Sequence, residues 1–98
     1  MDGQASISPE ILGSYAADAA REVQGVHDVV ESHLPPRKGV RVATGADGRT
    51  TVELHLALRW GASAPDVGRD VQVRVREYLS RMADLEPAVV DVVFAEIR

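Results

Sequence analysis

The sequence predicts an α+β two-layer sandwich. Its elements run α-β-β-β-α-β, and both helices lie on one face of a four-stranded mixed sheet. Three observations carry this expectation. Two stretches, Ser8–Gly25 and Ser63–Leu85, repeat apolar residues at helical spacing behind a serine with a proline one or two residues after it. Between them, Val52, Leu54, Leu56, Leu58 and Trp60 alternate with Glu53, His55, Ala57 and Arg59, which is the period of a strand. A last β-rich run, Ala88–Ile97, follows Pro87. A strand, helix and strand in one sheet take a right-handed crossover with parallel strands. That arrangement leaves the second sheet face without cover.

Each element has a local reason. Residues 1–6 are polar and read as a flexible lead, and residues 7–98 read as one domain. Ser8 suits a helix N-cap, Pro9 the first helical position, and Glu10 the positive end of the dipole. Ile11, Leu12, Tyr15, Ala16, Ala19, Ala20 and Val23 share one helical face, and Gly25 is expected to end the helix. Val26–His33 reads as a strand of mixed parity, which a bulge would explain. Leu34–Arg37 reads as a loop because its two prolines cannot donate to a ladder.

The hairpin from Val40 to Trp60 is set by face parity. A two-residue turn at Asp47-Gly48 would oppose Val42 to Glu53 and mix the faces. A three-residue loop, Ala46-Asp47-Gly48 with Gly48 left-handed, opposes Val42 to Val52, Val40 to Leu54 and Arg41 to Glu53. In the second helix, Val67, Val71, Val75, Tyr78, Leu79, Met82 and Leu85 form the core stripe. Asp70–Arg74 and Glu77–Arg81 are i, i+4 pairs on its outer face, where Val73 is the odd apolar residue. In the last strand the expected inward set is Val90, Val92 and Phe94.

Composition narrows the function. Ninety-eight residues, 45% apolar, can bury one core without staples. There is no cysteine, so disulfides, thiolate metal sites and thiol nucleophiles are excluded. No run approaches the roughly 18 apolar residues of a spanning helix, and the N-terminus does not read as a signal peptide. A cytoplasmic protein is the expectation. The formal charge of −4 opposes phosphate neutralisation and adsorption to anionic lipid alike, so neither nucleic-acid binding nor direct membrane insertion is expected.

Catalytic chemistry is not legible. His27 and His33 are about 20 Å apart on a regular strand and cannot share an ion. His55 and Asp91 on adjacent strands do not make a site. The serines fall at caps and helix surfaces, and Gly45 and Gly48 flank a hairpin instead of opening a helix. No enzyme activity, cofactor or metal is expected. The element order invites comparison with KH-type domains, and a small KH-like nucleic-acid-binding or regulatory domain is the alternative reading. Their Gly-x-x-Gly loop is absent, and Tyr15, Trp60, Tyr78 and Phe94 are all placed facing the core. The bare sheet face remains. By parity it shows Arg41, Ala43, Glu53, His55, Ala57, Arg59, Asp91, Val93 and Ala95, with Val89 and Ile97 at its ends. Arg41, His55, Ala57, Arg59, Asp91, Val93 and Ala95 are the candidate partner surface, for another protein or a second copy of the chain.

Several motifs fall in a familiar order. They are Ile7-Ser8-Pro9-Glu10-Ile11, Ala19-Ala20-Arg21-Glu22-Val23-Gln24-Gly25-Val26, Lys38-Gly39-Val40-Arg41-Val42, the strand to Trp60 and the Pro65-containing helix start. Together they resemble the bacterial alkaline-shock, or envelope stress-response, protein family over about residues 7 to 97. Many relatives read Val-Pro-Gly-Val where this chain has Val23-Gln24-Gly25-Val26, and the given sequence stops straight after its last strand, so anchoring through a tail is not expected. The resemblance implies a cytoplasmic stress-related protein without an assigned reaction. It also implies action in cell-envelope homeostasis and association with the membrane through an integral membrane partner. It carries no site residue.

Overall fold

The computed structural model describes residues 7–33, 36–37 and 39–98, with backbone only for 32, 33, 36 and 37. The expected flexible lead, residues 1–6, lies outside the described residues, as do Leu34, Pro35 and Lys38. The elements are α1 (Pro9–Arg21), β1 (Val26–Val29), β2 (Ser32–His33), β3 (Pro36–Arg37), β4 (Val40–Thr44), β5 (Thr50–Leu58), α2 (Ala64–Ala83) and β6 (Val89–Ile97).

β5 organises the sheet. β6 runs parallel to it along nearly its whole length, from Thr51↔Val89 to Leu58↔Ile97. The other side of β5 is shared end to end. β4 is antiparallel to its first half, Thr50 to Leu54, and β1 to its last residues, Leu56 to Leu58. The mixed four-stranded sheet is therefore three strands wide, and β1 and β4 act as one interrupted edge. The break falls at His55, whose N–H donates to Gly39 C=O at 2.7 Å and whose C=O accepts from Val30 N–H at 2.8 Å. Between Val30 and Gly39 the chain makes an excursion in which β2 and β3 pair antiparallel. The expected strand Val26–His33 thus stops at Val29. Pro36 and Arg37, read as loop, pair with His33 and Ser32. Proline's missing N–H is no obstacle in a two-strand ladder, where one side of each strand needs no partner. Gly39 closes the excursion tightly, since a Cβ there would lie 2.9 Å from Val30 O.

Other expectations hold. The β4–β5 register is Val40↔Leu54, Arg41↔Glu53 and Val42↔Val52, with Gly48 at φ +81 in the three-residue loop. Gly45 N–H donates to Arg49 C=O, and the Asp47 carboxylate accepts from Arg49 N–H. A register shift between Val26 and Asp28 is the bulge the parity called for, and it turns both Val26 and Val29 toward the core. Ser8 and Ser63 cap their helices, accepting from Ile11 N–H and Asp66 N–H.

α1 ends at Arg21, four residues before Gly25. Gly25 has a different task. At φ +100 it lets the chain pass the start of α2, where a Cβ would meet Val67 Cγ2 at 2.5 Å. Both helices cover the same sheet face. Ala16, Ala19 and Ala20 are fully buried, and α1 meets α2 through the Tyr15 and Tyr78 rings, 6.0 Å apart and tilted 55°. Val52, Leu54, Leu56, Val71, Val75 and Leu79 form the fully buried centre. Met82 and Ile11, read as core, are 45% and 47% exposed at the margins of their stripes. The expected i, i+4 ion pairs give way to other contacts: Arg74 reaches Glu22 of α1 at 3.2 Å, and the Arg81 guanidinium lies 5.5 Å from the Tyr78 ring centroid.

Candidate interaction face

The uncovered face is built from transverse rows. Residues paired across strands point to one side, so the register places Ala43, Thr51 and Val89 in one row and Arg41, Glu53 and Asp91 in the next. His55 and Val93 follow, opposite the gap in the interrupted edge. Asp28, Ala57 and Glu96 make the last row.

Four of the seven candidate residues, Arg41, His55, Asp91 and Val93, come together in the two central rows. The His55 ring is held, with Nε2 2.9 Å from Glu53 Oε2 and only 16% of its side chain exposed. Arg41 and Asp91 are exposed. Val89 and Val93 are 40% and 41% exposed, so β6 presents two β-branched side chains to water four residues apart.

The other three candidates are placed differently. Ala57 is fully buried beneath its larger neighbours and offers no surface. A register shift between Leu56 and Ala57 pairs Phe94 with Leu56 but Glu96 with Ala57. This bulge displaces Ala95 from its expected row, brings Glu96 onto the open face and turns Ile97 to the side of Leu58. Nothing in the alternation of Val89–Ile97 signals it. Arg59 lies beyond the end of β5, at the tip of the sheet.

The tip holds the main surprise. Trp60, read as the last core residue of the strand, is 85% exposed. Ala62 N–H donates to Arg59 C=O at 3.1 Å and Gly61 has φ +84, which makes Arg59–Ala62 a type II turn with Trp60 at its corner. The Trp60-Gly61 pair ahead of the Ser63 cap was the sequence signal for that turn.

At the opposite edge the Asp28 carboxylate accepts from Val29 N–H at 2.7 Å and from Arg21 Nε at 3.2 Å. The backbone bond first, and the guanidinium second, hold its carboxyl below the ordinary value. Among the described residues no group of three His, Cys, Asp or Glu side chains is arranged to hold a metal ion. No helix of those residues is long and apolar enough to cross a membrane.

This fold is shared with solved structures. The manganese form of a MamM CTD variant superposes with a TM-score of 0.65 at 16% identity, covering 89% of this chain and 96% of that one. The nickel form of another variant gives 0.63 at 14%, covering 91% and 98%. At such identities the likeness is one of fold. Among curated proteins, the uncharacterised protein YqhY of Bacillus subtilis is 33% identical over 93 residues, which are 85% of this chain and 68% of that protein. The uncharacterised Spy1535 of Streptococcus pyogenes serotype M6 is 27% identical over 97 residues, 92% of this chain and 75% of that protein. The family profile of alkaline shock protein 23, described as having a cell envelope-related function, matches residues 1–98. The chain belongs to this alkaline-shock family.

Proposed function

We propose that the protein is a non-enzymatic interaction module that serves the cell envelope by binding a protein partner through its open sheet face. One observation carries the reading: Val89 and Val93 stand exposed beside the Arg41–Glu53–Asp91 row, on the face that neither helix covers. Apolar side chains ringed by charges of both signs are the composition of a modest protein interface. An envelope-related role, in a chain whose described helices cannot span a bilayer, is best served by an integral membrane protein as the partner. The chain then works from the cytoplasmic side and is held at the membrane by that partner.

Affinity capture from separated membrane and soluble fractions tests this. The wild-type chain should retain an integral membrane protein, and Val93→Glu should lose it while keeping its helical circular dichroism. Retention of a second copy of the chain alone would redirect the reading to self-association. Nuclease-sensitive RNA or DNA on the resin would overturn it in favour of a nucleic-acid-binding domain. Equal capture by wild type and Val93→Glu would remove the open face from the account.

A further inference from the structure

The sheet has two edges, and the fold treats them differently. β6 is blunted along its free side. Gln72 Nε2 donates to Val90 C=O at 3.0 Å, Arg76 donates to Pro87 C=O at 2.6 Å, and the bulge at Ala95 bends the far end. β4 has no such protection. The bonds from His55 N–H to Gly39 C=O and from Gly45 N–H to Arg49 C=O fix the phase of its ladder. Arg41 and Ala43 therefore turn their backbone groups to β5, and Val40 and Val42 turn theirs outward. Those outward N–H and C=O groups make no hydrogen bond among the described residues.

They open onto a groove of about 750 Å³ between α1 and the edge, within the range of roughly 300–1,000 Å³ that ligand clefts occupy. Its α1 wall is low, made of Gly13, Ser14 and Ala17. Of the two arginines at the groove, Arg21 is held by Asp18 and Asp28, and Arg41 turns its side chain to the open face opposite Glu53. Glu10 on α1 and Glu31 after β1 also line the groove, and neither forms an ion pair among the described residues.

These features select the occupant. A row of free backbone donors and acceptors is complemented by another extended backbone. The low wall leaves room for side chains at alternate positions, and the unpaired carboxylates call for a cation. We propose that the α1–β4 groove receives an extended peptide segment of a protein partner, which adds to β4 as a further strand. The segment turns small apolar side chains toward Gly13 and Ala17 and carries a lysine or arginine for Glu10 or Glu31. Main-chain bonds to Val40 and Val42 supply affinity, and the groove supplies the choice of sequence. Val93 lies on β6, beyond β5, so this proposal and the open-face reading can fail separately.

A phage-displayed library of random heptapeptides is selected on the immobilised chain, and the enriched peptide is synthesised for nuclear magnetic resonance. Expected is enrichment of alternating apolar sequences that contain a lysine or arginine. In the free chain the Val40 and Val42 amides should exchange with solvent faster than those of Arg41 and Ala43. Bound peptide should slow them about tenfold or more. Val42→Pro keeps a backbone that suits an edge strand but removes the outward donor, and should abolish binding. Ser14→Arg, at an exposed position of α1, fills the groove and repels the cation, and should weaken binding about tenfold or more. Glu31→Gln should weaken it about two- to fivefold, the contribution of one exposed ion pair. Val93→Glu should bind the peptide as the wild type does. No enrichment over a Ser14→Arg control chain would overturn the proposal, as would a bound peptide that protects the β6 amides instead. Protection of Val40 and Val42 already present in the free chain would also overturn it. The occupant is then a second copy if protection rises with concentration, and the chain's own N-terminal residues if it does not.

Discussion

At the scale of single residues, strain and charge sit where the backbone changes direction. Asp84 leaves α2 with φ 51, and Leu85 N–H closes back on Leu79 C=O, a Schellman exit in which most chains use glycine. An aspartate there carries both the left-handed penalty and a negative charge at the negative end of the helix. Asp84→Gly should stabilise the chain by about 0.5–1 kcal/mol in urea denaturation. Gly25→Ala should do the reverse. It combines the left-handed penalty with a clash against Val67 and should cost about 2–4 kcal/mol in the same assay. Asp28 gives a pH signature. Its folded carboxyl titrates below the ordinary value, so its contribution is present above that value and lost as pH falls through the folded one. Wild type should exceed Asp28→Asn in thermal stability at neutral pH, and the gap should close on acidification below about pH 4. A gap that widens in acid would contradict the assignment.

At the scale of elements, the two faces of α2 make opposite forecasts. Leu79 is fully buried at its centre, and Leu79→Ala should cost about 2–5 kcal/mol. Val73, 55% exposed on the same helix, should tolerate alanine within about 0.5 kcal/mol. Both follow from periodicity, and so did most of the fold. The helix caps, the β4–β5 register and its loop were legible because parity at Val42 and Val52 admits only one answer. What was not legible lies where the ladder departs from its own period. The interruption at His55 requires Val30 and Gly39 to meet one β5 residue along the same edge, a contact no local pattern encodes. The bulge near Ala95 trades one residue of alternation for twist and moves Ile97 across the sheet. Trp60 was misread because alternation was carried two residues past Leu58, into the turn that Gly61 announces.

At the scale of the molecule, one face is closed by two helices and the other is open, with an exposed tryptophan, Trp60, in the turn after β5. The candidate site was half legible. Parity brought Arg41, His55, Asp91 and Val93 together, whereas burial removed Ala57 and the bulge displaced Ala95. The reason is general: parity assigns a side of the sheet, but accessibility depends on the height of neighbouring side chains. That asymmetry between a covered and an open face is the basis of the proposed interaction.

It can be tested by placing a single thiol, since the chain has no cysteine of its own. Val93→Cys puts one on the open face, and Ser80→Cys puts one on the exposed back of α2. Maleimide labelling is then compared between cells and the purified chain. The account expects position 93 to be shielded in cells and to become reactive on purification, with position 80 equally reactive in both. Equal labelling of position 93 in both settings, or shielding at position 80 instead, would contradict it.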